Sequence, residues 1–302
     1  MPDPLEPRVK RRTKAVGIVF AMAVFAPFMR GAAQTPTNGP PIAANPGRPT
    51  VSTPATLTPV GYLQFENGFL DATNSGEFSN RAGVNQVTKL AVTHRIEFLL
   101  QSEPLVGSQD SAHTADRPGE VFAGVQGILI GGAQQRLTVA GSYFRRLHQS
   151  PAPELDTGTF RQDALVLMSD EFWRFHVDAN VIFSEQVKEP VRRGQFGQTL
   201  SLSRVFGKTT LSGEIWHFTQ PLIRDSAVGN LWAASYPVKP NLIVDAGFEH
   251  GFTSSSTRWE TFVGFTYLLP HRLWKAPGPT SGTNITINEV DKGGTTQQPR
   301  YR

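Results

Sequence analysis

The 302-residue chain contains no cysteine. That absence excludes a disulfide framework, a thiolate metal site and a lipid-modified cysteine behind an export signal. A long hydrophobic run is also missing. The apolar stretch Ala15–Phe28 ends after 14 residues, short of the roughly 20 a membrane-spanning helix needs. Histidine is sparse: His94, His113, His148, His176, His217, His250 and His271 are never closer than 19 positions. No two of them share a helical turn or a local strand face, so the chain has no local metal motif and no implied metal or cofactor. Gly127, Gly131 and Gly132 lack the basic residue that a phosphate loop requires. Excess charge is the last absence. Of 29 basic and 25 acidic residues, six basic and two acidic lie in residues 1–33, and the remainder carries 23 of each. The basic balance therefore belongs to the N-terminus and gives no support for a nucleic-acid partner.

What is present begins with an export signal. Arg8, Lys10, Arg11, Arg12 and Lys14 precede the apolar run, and Gly31-Ala32-Ala33 follows it. Charged, apolar and small residues in that order form a secretory signal peptide over residues 1–33, cleaved after Ala33. Residues 34–59 hold seven prolines and almost no large apolar side chain, so they are expected to be a periplasmic linker. Residues 270–302, with Pro277, Pro279, Gly293 and Gly294, are expected to be a disordered periplasmic tail.

Between these flanks, residues 60–269 run as short alternating segments. Strands are predicted at 60–70, 82–92, 95–102, 120–130, 137–147, 160–168, 175–184, 195–205, 209–218, 227–236, 242–250 and 258–269. The connections alternate between long (71–81, 103–119, 148–159, 184–194, 219–226 and 250–257) and short. Such sorting is expected of an up-and-down barrel with tight turns on one side of a membrane and longer loops on the other. The fold class is therefore all-β: a transmembrane antiparallel β-barrel of about twelve strands, ten or fourteen remaining open. An outer membrane is the expected location, with its lipid and the barrel-assembly machinery as partners.

Each face of a strand is read at every second residue. Phe175, Val177, Ala179, Val181 and Phe183 oppose His176, Asp178, Asn180 and Ser184. Leu242, Val244, Ala246 and Phe248 oppose Ile243, Asp245, Gly247 and Glu249. In a membrane barrel the apolar set meets lipid and the polar set lines the lumen. Trp259, Tyr267, Trp173 and Tyr236 lie at predicted strand ends, where amphipathic rings favour the membrane interfaces. The candidate lumen residues are Gln64, Glu66, Arg95, Glu97, Asp178, Asn180, Glu214, Asp245, Glu249, Arg258 and Glu260, with Tyr62, Trp216 and Phe262 as inner-face aromatics. Seven of the eleven are acidic and two basic. That set either favours cations over organic anions or pairs internally and plugs the barrel.

Two segments carry a family resemblance. Pro59-Val60-Gly61-Tyr62-Leu63-Gln64-Phe65-Glu66-Asn67-Gly68-Phe69 and Lys89-Leu90-Ala91-Val92-Thr93-His94-Arg95-Ile96-Glu97-Phe98 resemble the opening of a bacterial outer-membrane family named for the meta-pathway of phenol degradation. In that family a proline-rich lead enters a G-x-L-Q-x-E strand, and a tight hairpin precedes an R-x-E strand. The resemblance implies a non-enzymatic channel or uptake barrel that passes small, aromatic or hydrophobic organic solutes by passive diffusion. Many outer-membrane barrels end at an aromatic residue, whereas here some thirty residues follow the last predicted strand. Two other functions remain open. One is a closed structural barrel whose outer loops bind a partner. The other is an outer-membrane hydrolase using His148 and Ser150; Asp110, His113 and Asp116, which a rim protease would need as acid and histidine pairs, share one loop and read as solvated charge.

Overall fold

A computed structural model describes residues 42–75, 78–109, 114–132, 135–150, 159–188 and 190–274. The predicted signal peptide, residues 34–41, and residues 275–302 of the predicted tail lie outside them, as do Asp110 and His113. Thirteen strands occur in chain order: β1 (Leu63–Thr73), β2 (Asn80–Ala91), β3 (Ile96–Gln109), β4 (Thr114–Arg117), β5 (Val121–Ile130), β6 (Thr138–His148), β7 (Thr159–Phe172), β8 (Phe175–Lys188), β9 (Val191–Phe206), β10 (Thr209–Gln220), β11 (Asp225–Lys239), β12 (Leu242–Gly251) and β13 (Trp259–Leu268).

Apart from β4, each strand pairs antiparallel with the next, and β13 pairs with β1 from Gln64↔Leu268 to Thr73↔Trp259. The result is a closed twelve-strand barrel with no free edge. The short β4 hydrogen-bonds to the outer half of β3, from Val106↔Arg117 to Gln109↔Thr114.

The pleat decides which side chains go inside. Along β1, Gln64, Glu66, Gly68, Leu70 and Ala72 are buried, and the residues between them are not. Opposite them, Phe98, Val181, Phe183, Leu200, Leu202, Ile215, Trp232, Val263 and Phe265 are large, apolar and exposed on the outer wall. Polar side chains such as Gln64, Gln126, Thr199, Ser201 and Thr266 are buried within. This inverts a water-soluble core, and an apolar wall of this kind suits a lipid surround. Trp173, Tyr236 and Trp259 are exposed and Tyr267 is half-buried. The first two and Tyr267 stand at the end with tight turns, and Trp259 stands at the loop end.

Several expectations are corrected. The connection placed at 184–194 is a continuation of β8 and β9, paired as far as Lys188↔Val191. The connection at 103–119 contains the outer part of β3 and all of β4. Polar residues interrupt the apolar alternation in both places, with Pro104 and Gly107 adding to the break on β3, while the hydrogen-bond ladder continues. The first strand begins at Leu63, not at residue 60. Gly61 has φ +81°, and Tyr62 N–H bonds back to Pro59 O at 3.1 Å, making a turn.

The largest correction concerns residues 42–59. Expected as part of a periplasmic linker, they approach the barrel at its tight-turn end, where Ala44 N–H donates to Pro240 O, and residues 45–58 lie along the inner wall.

Candidate functional site

Proline removes donors along residues 42–59, and the segment bends at 49–52 and 55–56 without forming regular structure, so most of its remaining backbone groups need partners outside it. They find them on the inner wall, strand after strand. Asn45 N–H donates to Gln64 Oε1 (2.8 Å) and Gly47 N–H to Glu66 Oε1 (2.9 Å), both on β1. Arg48 reaches Asp245 on β12 at 3.1 Å. Val51 and Ser52 N–H each donate to the Glu214 carboxylate on β10 at 2.7 Å. Ser52 Oγ lies 2.6 Å from Glu214 Oε1 and 2.8 Å from Thr199 Oγ1 on β9.

The path continues round the wall. Thr53 O accepts from Asn180 on β8 (3.0 Å) and Pro54 O from Gln126 on β5 (3.1 Å). Ala55 N–H donates to Ser169 Oγ on β7 (2.8 Å), which itself donates to Asp178 (2.5 Å). Thr58 gives both its N–H and its hydroxyl to Glu97 on β3. The ends meet: Asn45 Nδ2 donates to Thr56 O at 3.1 Å and lies 3.2 Å from Thr56 Oγ1. Residues 45–58 thus form an inner collar bonded to eight of the twelve strands.

Local wall chemistry makes room for the collar. Gly68 and Gly264 are register partners on β1 and β13, and any Cβ at either would strike the Arg48 guanidinium. On the far side, Ala55 is fully buried against Ala140 and Leu167. Lys89 pairs with Glu66 at 2.6 Å and closes the polar network beneath Gly47.

The collar narrows the interior of the barrel. Twelve strands about 4.8 Å apart and tilted about 40° close a backbone cylinder of roughly 12 Å radius. Wall side chains take about 5 Å of that radius, half a face-to-face sheet spacing, and a layer of backbone takes about 5 Å more. The collar backbone thus occupies most of the roughly 7 Å of radius that the wall side chains leave.

Toward the loop end the inner wall changes character. Phe144, Phe218, Trp216 and Phe262 lie over Gly124, Gly197, Gly229 and Gly247, so closely that a Cβ at any of these glycines would collide with the ring. The glycines let the rings lie flat against the wall. Leu70, Ala72, Leu231 and Phe262 then pack with Phe78, which the loop after β1 folds inward. Opposite this apolar side, Ser184, Gln186, Gln195 and Thr199 are buried polar residues on the inner face of β8 and β9. Glu249 and Glu260 are register partners on β12 and β13. Arg81, almost fully buried, bonds Glu103 at 2.7 Å.

Of the eleven candidate lumen residues, nine stand on the inner face: Gln64, Glu66, Glu97, Asp178, Asn180, Glu214, Asp245, Glu249 and Glu260. Arg95 and Arg258 do not. Arg95 is exposed in the turn before β3, its side chain on Ile128 O at 3.3 Å, and Arg258 is exposed in the loop before β13. Each precedes the first strand residue, where alternation no longer governs direction. Trp216 and Phe262 are inward, whereas Tyr62 sits below β1 with the Arg272 guanidinium 5.8 Å from its ring centre.

The acidic wall pairs internally. Glu66, Glu97, Glu214 and Asp245 all receive bonds from the collar. Arg48, Ser52 and Ser169 were missed by sequence reasoning. The one available signal was a run of small polar residues between prolines, facing a wall rich in inward acids. Ser150 is buried with its hydroxyl donating to Pro118 O at 2.5 Å, and His148 is exposed, so the pair is not arranged as nucleophile and base. Among the described residues no cluster of potential metal ligands occurs.

No model of a known protein family matches this chain, and no curated protein matches it. Solved structures do. An outer membrane channel from Pseudomonas putida F1 aligns with a TM-score of 0.50 at 12% identity, over 71% of this chain and 98% of that one. The two share a barrel fold. The NanC porin aligns with a TM-score of 0.48 at 8% identity, over 68% of this chain and 100% of that one. The CymD monoaromatic hydrocarbon channel aligns at 0.43 and 9%, over 71% and 90%.

Proposed function

We propose that this chain is an outer-membrane channel through which small organic solutes diffuse passively, and that residues 45–58 set its bore. The observation that carries this reading is the collar bonded around the inner wall of a closed barrel whose outside is apolar. Beyond the groups that hold the collar, the inner wall keeps buried polar side chains, Ser184, Gln186 and Gln195 among them, that can hydrate a solute. Export through a cleaved signal at residues 1–33 and insertion by the barrel-assembly machinery belong to the same proposal.

The flat rings of Trp216, Phe218, Phe144 and Phe262 favour a solute with an apolar, aromatic body, because offset or tilted ring contacts add to the burial of apolar area. The resemblance of the β1 and β2–β3 segments to the phenol meta-pathway family points the same way. No wall carboxylate is needed to conduct cations, since four of them hold the collar.

The test is single-channel conductance in a planar bilayer, for the mature barrel and for a variant lacking residues 43–58. Cross-section scales with the square of the radius, so clearing a layer that occupies most of the roughly 7 Å left by the wall raises conductance severalfold. A small aromatic compound added from one side should block the wild-type current. If both proteins fold and both stay silent, the barrel is closed and the second reading, a partner-binding barrel, replaces this one.

A further inference from the structure

The outer wall is not uniform. Across β9 to β12 it is indented by a concavity of about 1060 Å³, at the upper end of small-molecule pocket sizes of about 300–1,000 Å³. Its floor is built from the outward Gly213, Ala234 and Ala246, and Leu202, Leu211, Trp232 and Phe248 stand around it. Trp232 lies against Gly213, where a Cβ would meet its ring at 2.9 Å. The wall behind is continuous: β10 pairs without a register break with β9, from Thr209↔Phe206 to Phe218↔Gly197, and with β11. The concavity is therefore a surface groove, not an entrance to the bore.

One cation borders this apolar groove. Arg204 is outward on β9, near the tight-turn end, with its guanidinium 4.9 Å from the Phe206 ring centre and 5.6 Å from that of Phe175. No ion pair of Arg204 occurs among the described residues. Arg174, Lys208 and Lys239 are exposed at the same end of the barrel and make no ion pair among the described residues. A guanidinium beside two aromatic rings, with no ion pair among the described residues, has a planar fork that matches the oxygens of a phosphate.

We propose that this groove is a specific site for an anionic phospholipid of the inner leaflet. Its acyl chains lie over Gly213, Ala234 and Ala246, and its phosphate is held by Arg204. The charge complementarity decides the occupant: the apolar length suits an acyl chain, and the cation stands at the end where the headgroup layer of that leaflet would be. The proposal rests on the membrane placement made above.

Native mass spectrometry of the delipidated full-length barrel, titrated with phosphatidylglycerol, tests it. One lipid should bind per barrel, and binding should weaken about tenfold in Arg204→Gln and in Ala246→Trp, which fills the groove. Diacylglycerol, which has no phosphate, should bind no better than it does to Arg204→Gln. Equal phosphatidylglycerol binding by the wild type and both variants overturns the site. So does full competition by inorganic phosphate, or a dimer whose formation Ala246→Trp abolishes. Insertion into liposomes, read by protease protection, is measured in parallel. A barrel that does not insert refutes the membrane placement, whereas insertion without selective lipid binding refutes the site alone.

Discussion

Replacing Glu214 with Gln should loosen the collar by an amount that follows from its bonds. Both Glu214 oxygens accept from N–H donors, Val51 and Ser52, at 2.7 Å, and Ser52 Oγ adds a third bond at 2.6 Å. A carboxylate suits three donors; an amide turns one of its ends into a donor facing a donor. Converting three charge-assisted bonds into neutral or mismatched ones removes about 1 kcal/mol each. The total is roughly 3 kcal/mol, on the order of a hundredfold in the local opening equilibrium. Because the chain has no cysteine, one introduced thiol reports the opening without interference. Ala55→Cys suits the purpose, since residue 55 is fully buried against Ala140 and Leu167. Labelling of the folded barrel by a maleimide should accelerate on the order of a hundredfold when Glu214→Gln is added. Ser52→Ala approaches the same junction from the collar side and should give about a tenfold increase, as expected for the loss of one hydroxyl and its bonds to Glu214 and Thr199. Labelling at the parent rate in both variants would refute the anchoring role of Glu214.

Arg48→Met removes the 3.1 Å pair with Asp245 and leaves a buried carboxylate facing it; the change should lower the unfolding temperature of the barrel and raise current noise, both read on the purified protein. Gly229→Leu should displace the Trp216 ring from the wall, cost about 1–3 kcal/mol through overpacking, and reduce single-channel conductance. Outside the spanning segments, burial pushes the Glu120 carboxyl up to about 7 from its ordinary 4.5, against the opposing pull of Arg146. The folded chain then holds that proton more tightly than the unfolded one, so this group's contribution is fully present below pH 4.5 and is lost as pH rises to about 7. Glu120→Gln should flatten the pH dependence of unfolding in that window.

The wall of this protein was legible because alternation is a local property. Each outward Val, Phe or Leu and each inward Asp, Asn or Gln repeats with period two, and the backbone ladder needs nothing more to be drawn. The inward directions of Glu66, Asp178, Glu214 and Asp245 followed from that period alone, as did the outward faces of Phe183 and Val263. Alternation failed where its premise failed. Arg95 and Arg258 lie just outside their strands, and beyond residues 184 and 103 polar residues interrupt the apolar alternation while the ladder continues.

What those inward residues do could not be read locally. The proline-rich stretch before β1 has the composition of a solvated linker, and few of its own side chains reach its backbone groups, as Asn45 reaches Thr56 O and Thr50 reaches Ser52 O. Its partners are Glu214 and Thr199, 162 and 147 positions from Ser52, and Asp245, 197 positions from Arg48. Only closure of β13 onto β1 brings these groups around one space narrow enough for a single segment to bond with many strands at once. The sequence determined a barrel with a polar interior; the closed tertiary structure decided that the interior holds a collar, because hydrogen-bond partners so distant along the chain meet only when the ring of strands is complete.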